Sequence, residues 1–298
     1  MTELLRIAPE VQQALHEGRA VVALETTLIA HGFPPGVGVE VGQASEAAVR
    51  FEGAVPATVG VLEGSVVVGL DAAELARFGE AGADARKAGP RELGALAARG
   101  ELGATTVGGT LAAARLARIR FMGTGGIGGV HRGFAERPDV SADLAQLART
   151  QALVVSSGIK SLLDVPATAE VLETLGVPVL GYRTAELPLF YSPGGGPPVS
   201  SRVGSPDEAA RTAAAHWELG GAALLLARDP DDGIDVEPLV EEAHATAAEQ
   251  GVRGQAVTPF VLSFLHERSA GRTLEVNRAL VPANARLAAE VAVAATTR

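Results

Sequence analysis

The chain has 298 residues and a formal net charge of −10. That charge argues against a general nucleic-acid surface, which needs a basic face, but leaves room for a small anionic ligand in a locally cationic pocket. There is no cysteine, which excludes disulfides, thiolate nucleophiles and Cys-ligated zinc.

Residues 1–20, MTELLRIAPEVQQALHEGRA, read as an amphipathic helix with charges of both signs. They lack the basic start and apolar run of a signal peptide. No apolar stretch reaches bilayer-spanning length, so a cytoplasmic protein without a membrane partner is expected. Ala20–Leu24 is an apolar strand ending at Glu25-Thr26-Thr27. Residues 57–70 read as two β runs around Glu63-Gly64, a hairpin. Pro90–Arg99 reads as a helix, with the basic Ala85-Arg86-Lys87 stretch ahead of it. A short strand at 104–107 is followed by a helix opened by Gly108-Gly109-Thr110, with Thr110 as a candidate cap. Strands are predicted again at 120–122, 152–155, 177–181 and 222–227. Helices are predicted at 142–150, with Ser141 as cap, at 166–175, at 206–218 and over most of the chain after Val236. Ser192–Ser201, SPGGGPPVSS, reads as a long loop or lid. No linker divides the chain and no repeat has a fixed period, so residues 1–298 form one domain. The alternation of strands and helices predicts an α/β fold, its sheet mixed because of the hairpin and covered by helices on both faces.

Of the 25 basic residues only two are lysines, Lys87 and Lys160. A surface cation can be Lys or Arg, but a nucleophilic amine cannot be Arg, which stays protonated. Lys160 follows the strand at 152–155 through Ser156-Ser157-Gly158-Ile159. Partial desolvation there favours the neutral amine and attack on a carbonyl-type carbon. The GIKS stretch lacks the first glycine of a P-loop. Lys87, in its basic cluster, suits phosphate binding better than covalent work. Glu25 closes its strand, where α/β enzymes place acid/base groups; a structural ion pair would account for it equally.

Gly123–Gly128, GTGGIG, matches the dinucleotide fingerprint in letters only, because VHRGFAERPD follows and has no helical period. The glycines allow close backbone approach to a ligand, and His131 and Arg132 follow directly. The segment is either a phosphate cradle or a tight surface loop. Asp139 and Asp143 flank Val140-Ser141-Ala142. Either they serve a hard cation such as Mg²⁺ or Mn²⁺, or Asp143 simply answers the dipole of its helix. The six histidines form no His-x-x-x-His pair, so a catalytic zinc site is not expected.

Taken together, these segments resemble the indigoidine synthase A family of pseudouridine-5′-phosphate glycosidases. The resemblance is carried by ALETTLIAHGFP (23–34), ARK (85–87), GATTVGGT (103–110), GTGGIGGVHRG (123–133), DVSADL (139–144), SSGIKSLLD (157–164), GVPVLGYRT (176–184), TPFVL (258–262) and LEVNRALVPANARLAAEVA (274–292). It implies reversible cleavage of the C–C glycosidic bond of pseudouridine 5′-phosphate to uracil and ribose 5-phosphate, classed by convention with the carbon–oxygen lyases. It also implies a lysine that opens the ribose and forms an imine (Schiff base) at the anomeric carbon, the electron sink that C–C cleavage needs.

By motif match the imine lysine is Lys160, the acid/base glutamate Glu25 and the phosphate-side lysine Lys87. The aspartate for a divalent ion, usually manganese, is Asp139. Val107 and Ser141, Ala142 and Asp143 match substrate contacts, and His131 joins them beside the glycine loop. Asn277 matches the asparagine that holds the uracil, with Asn284, about two turns on, as the alternative. The implied fold is three-layer α/β/α and the implied assembly a homotrimer. Two other classes stay open at this level: a phosphosugar-binding regulatory module without turnover, and a sugar-phosphate lyase or aldolase that shares the imine lysine.

Overall fold

A computed structural model describes residues 4–252 and 257–297. The side chains of Thr258 and Pro259, which open the TPFVL segment, lie outside the described residues. The strands before residue 140 are β1 (Leu5–Ile7), β2 (Val21–Glu25), β3 (Val55–Leu62), β4 (Ser65–Val68), β5 (Arg86–Ala88), β6 (Gly103–Thr105), β7 (Phe121–Gly123) and β8 (Val130–His131). Those after it are β9 (Leu153–Ser156), β10 (Leu163–Asp164), β11 (Val179–Tyr182), β12 (Glu186–Leu189), β13 (Ser192–Pro198), β14 (Ser201–Val203) and β15 (Leu224–Arg228).

The main sheet runs β1-β4-β3-β2-β7-β9-β15-β11-β14, with β6 paired to β3 and β5 to β6. From β3 across to β14 every neighbour is parallel; β3–β4 and β3–β6 are antiparallel. The mixed, mostly parallel sheet is therefore as expected. The reason is legible in strands such as VVALE and LVVS, which are apolar at every position rather than alternate ones, the mark of a strand buried on both faces. Val21 and Ala23 enter the core on one face, and Val22 and Leu24 the core on the other. Helices 37–51, 206–218 and 272–296 cover the second face. Helices 107–117, 142–147, 165–174 and 237–249 contribute to the first. The result is three layers. Among the described residues no helix is long and apolar enough to cross a membrane.

The hairpin turn falls at Glu63 (φ 51°) and Gly64 (φ 81°). Two successive positive φ values match the twist of the flanking strands. Four expectations need correction. The N-terminal segment is not one helix: Leu5–Ile7 pairs with Val66–Val68 as an edge strand, and the helix occupies Pro9–His16. Pro9 stands at the first helical position and bars helix upstream. The helix after Lys87 starts at Leu93, and Lys87 itself lies in β5. Thr106, not Thr110, caps helix 107–117 by accepting from the Gly109 N–H at 3.2 Å. Ser192–Ser201 is no loose lid: residues 192–198 form β13, paired antiparallel with β12 and irregular in register where the glycines fall.

The helix Arg272–Thr296 lies directly on β7. A Cβ on Gly123 would meet the Ala285 Cα at 2.7 Å, a backbone atom that cannot move aside cheaply. Gly123→Ala is expected to destabilise the fold by about 1–3 kcal/mol, the usual cost of overpacking. A lowered urea midpoint with an unchanged m value would show it; an unchanged midpoint would refute this account of the helix–sheet contact.

Candidate active site

β2, β7 and β9 are adjacent and parallel, so their carboxyl ends emerge together, where open α/β sheets bind ligands. Glu25 is the last residue of β2, Thr124 follows β7, and Lys160 follows β9 by four residues. Three segments far apart in sequence thus converge because the strands share a direction.

Glu25 is 4% exposed. Its Oε1 accepts from the Thr124 hydroxyl, and its Oε2 has no hydrogen-bond partner among the described residues. Burial raises its pKa above the ordinary carboxylate value; the positive charge of Lys160 and the Thr124 hydrogen bond oppose that, and Asp143 adds to it. A buried carboxyl with a free oxygen, whose pKa burial raises, is suited to general acid/base work.

Lys160 sits on a segment pinned to the glycine loop. Its N–H donates to the Ile127 carbonyl at 3.3 Å, the Ile127 N–H donates to the Gly158 carbonyl at 3.1 Å, and Ile127 and Ile159 form a parallel bridge. Gly158 adopts φ +80°, and a Cβ there would meet the Pro188 carbonyl oxygen at 2.1 Å. The residue two before Lys160 therefore has to be glycine for two separate reasons.

Lys87, from β5 at the other side of β3, reaches the same place. Its side chain is solvent-accessible, yet the surrounding protein lowers its pKa, first by desolvation and then through the charge of Lys160; Asp143, Glu25 and Asp139 raise it. The two lysines and three carboxylates singled out in the sequence therefore sense one another's charge.

Asp143 has a specific structural task. It is 4% exposed. Its Oδ1 accepts from the Gly108 N–H at 2.7 Å and its Oδ2 from the Gly128 N–H at 2.9 Å. It brackets the N-terminus of helix 107–117 to the glycine loop, its carboxylate answering the positive end of that helix. Ser141 caps the Asp143 helix, accepting from the Asp143 N–H at 3.2 Å, and Ala142 is exposed beside it. The Val107 side chain is buried in the core, which leaves its backbone as the part that can meet a ligand. His131 is half-buried in β8, and its N–H donates to the Asp139 carbonyl at 3.0 Å. No helix follows the glycine loop, in keeping with rejection of the dinucleotide motif.

Arg132, beside His131, is engaged within the protein. Its guanidinium donates to Glu237 at 2.7 Å and to the Ser161 carbonyl at 3.2 Å. Thr124 and these Arg132 partners were missed in the sequence; nothing local ties Thr124 to a glutamate 99 positions earlier.

The two asparagines separate cleanly. Asn284 is fully buried and committed: its Nδ2 donates to the Thr124 carbonyl at 2.8 Å, and it bonds the Ser157 hydroxyl. It staples the long helix to the glycine loop. Asn277 is 6% exposed and its Oδ1 has no partner among the described residues. One turn on, Val281 shares with Glu25 the lining of a cavity of about 20 Å³. Asn277 is thus the one with an amide oxygen left for a ligand.

For a divalent ion, the described residues contain no group of three or more His, Asp or Glu side chains that could hold one. Asp139 is exposed, and both Asp143 oxygens are engaged by backbone N–H groups. That donor set fits a hard cation bound through a single carboxylate and completed by water and substrate oxygens, rather than an all-protein cage.

The sequence pattern of the family described as "Indigoidine synthase A like protein" matches residues 10–294. A pseudouridine-5′-phosphate glycosidase of Herpetosiphon aurantiacus is 48% identical over 99% of this chain and 98% of its own length. One of Chloroflexus aurantiacus is 47% identical over 97% and 98%. Among solved structures, a prealnumycin C-glycosynthase in complex with ribulose 5-phosphate superposes with a TM-score of 0.92 at 41% identity, covering 100% of this chain and 98% of that one. An indigoidine synthase A-like protein of Thermotoga maritima gives 0.87 at 37% identity, covering 98% and 97%. The chain belongs to the indigoidine synthase A-like family.

Proposed function

We propose that this protein is a pseudouridine-5′-phosphate glycosidase working through an imine on Lys160. The observation that carries the reading is the pairing of Lys160 with a buried Glu25 whose carboxyl is held towards its protonated form, at the carboxyl ends of adjacent parallel strands. The names of the full-length relatives and the sugar phosphate in the C-glycosynthase complex support the substrate class.

In the cleavage direction the Lys160 amine bonds to C1′ as the C1′–O4′ bond breaks, and the Glu25 proton goes to O4′. The new Lys160 ammonium first returns a proton to the Glu25 carboxylate. The restored nitrogen lone pair then forms the C=N bond as the C1′–C5 bond breaks and its electron pair leaves onto C5 of the base, which takes that proton from Glu25. Water hydrolyses the imine and releases ribose 5-phosphate. In the synthetic direction the same protonated imine accepts the electron pair of uracil C5, which is the sense in which it is an electron sink. On this reading Lys87 and His131 bind the phosphate end, and the free Oδ1 of Asn277 accepts from a uracil N–H. Asp139 would hold a divalent ion, manganese by family resemblance, which supplies charge neutralisation at the phosphate. On the same reading the chain acts in the cytoplasm as a homotrimer, which light scattering would test against the 30.3 kDa protomer mass.

Borohydride with ribose 5-phosphate is expected to add one reduced sugar phosphate to the wild-type chain and none to Lys160→Ala. Intact mass reads the result; no adduct on wild type, or an equal one on the variant, sinks the imine. Lys160→Arg should be equally inactive, since guanidinium cannot become the nucleophile. Turnover of pseudouridine 5′-phosphate with added Mn²⁺, followed by the change to uracil absorbance, separates this enzyme from a binding module.

Glu25→Gln is expected to lose about 10²–10⁴-fold in turnover, the usual worth of a positioned acid. It should also be the more stable protein at neutral pH. The folded wild type keeps the Glu25 proton at pH values where the unfolded chain has released it, so the Glu25 contribution to stability declines as pH rises above 4.5. Urea midpoints of the two proteins should converge below that pH. A wild type at least as stable as the variant at pH 7 contradicts the electrostatic account.

A further inference from the structure

The backbone just beyond Lys160 is held by side chains from two distant parts of the chain. The Ser161 carbonyl accepts from Arg132 at 3.2 Å, and the Leu162 carbonyl accepts from His244 Nε2 at 3.3 Å. A carbonyl can only accept, so His244 carries a proton on Nε2. The two donors are themselves linked. Arg132 also donates to Glu237 at 2.7 Å, and Glu237 and His244 lie seven residues apart on helix Glu237–Glu249, hence on one face of it. From the opposite side the Ser161 hydroxyl donates to the Leu189 carbonyl at 2.6 Å, and the Lys160 N–H to the Ile127 carbonyl at 3.3 Å.

The segment is thus fixed from three sides. Stability does not account for the arrangement: Arg132 and Glu237 are 29% and 40% exposed, and a pair that open contributes little to folding. What the contacts do set is the root of the Lys160 side chain, where a displacement of about 1 Å can cost about 100-fold in rate.

We propose that Arg132, Glu237 and His244 form a clamp of positioning residues that aims the Lys160 amine, so that helix 237–249 governs the rate of imine formation without touching substrate. This rests on Lys160 being the imine-forming amine. Single-turnover borohydride trapping with ribose 5-phosphate tests it in His244→Phe, Glu237→Gln and the conservative His244→Gln, whose amide nitrogen falls near Nε2.

His244→Phe and Glu237→Gln are expected to slow adduct formation at least about ten-fold, the loss a sub-ångström displacement brings, while His244→Gln recovers most of the wild-type rate. Affinity for ribose 5-phosphate, measured by calorimetry with each substitution added to Lys160→Ala, should stay within about two-fold of Lys160→Ala itself, since uniform binding is untouched. Unchanged trapping rates overturn the clamp. So does a loss of affinity in step with rate, which would make these residues substrate contacts. So does equal loss in His244→Phe and His244→Gln together with lowered thermal midpoints, which would make them merely structural. No adduct on the wild type is the separate result that removes the imine reading, and the clamp with it.

Discussion

Everything at the site depends on the burial of β2, β7 and β9 on both faces. A parallel strand enclosed between two helical layers has its most accessible polar positions at its ends. Glu25, Thr124 and the Ser156–Lys160 segment therefore appear at one edge, and because the three strands are neighbours their ends are too. The same enclosure explains the chemistry of Glu25. A carboxyl at the end of a buried strand has lost most of its water, and one hydroxyl partner does not replace it.

Around that edge the chain spends charge in a definite order. The positive end of helix 107–117 and the amide of Gly128 are both answered by Asp143, so this carboxylate is an architectural bracket between helix and loop. Asn284 does for the long helix what Asp143 does for the short one, spending its amide on the backbone of the glycine loop. Asn277 keeps an oxygen free. Of the two asparagines, Asn284 is spent on the frame and Asn277 is not.

Much of this was legible in the chain. The apolar runs at 20–24, 152–155 and 222–227 announced buried strands, and the Glu63-Gly64 pair announced the hairpin. The scarcity of lysine marked Lys87 and Lys160 before any fold was known. Other features were illegible for physical reasons. SPGGGPPVSS reads as loop by composition, yet it pairs with β12, because a two-stranded ribbon laid against the protein tolerates the irregular register that glycine and proline impose. That Arg132 pairs with Glu237 could not be read locally, because the two are more than a hundred residues apart.

What the sequence determined by itself was the alternation of elements, the glycine positions where only φ > 0 or close approach will serve, and the residue types able to do acid, amine and phosphate chemistry. These are local properties, set by side-chain identity and by periods of two and 3.6 residues. Only the tertiary structure decided which members of that set share a site. It left Glu25 with one free oxygen, committed Asp143 and Asn284 to backbone, left Asn277 free, and tied Lys160 to helix 237–249. Those outcomes depend on distances between segments tens to hundreds of residues apart, which are set by how strands order themselves in the sheet.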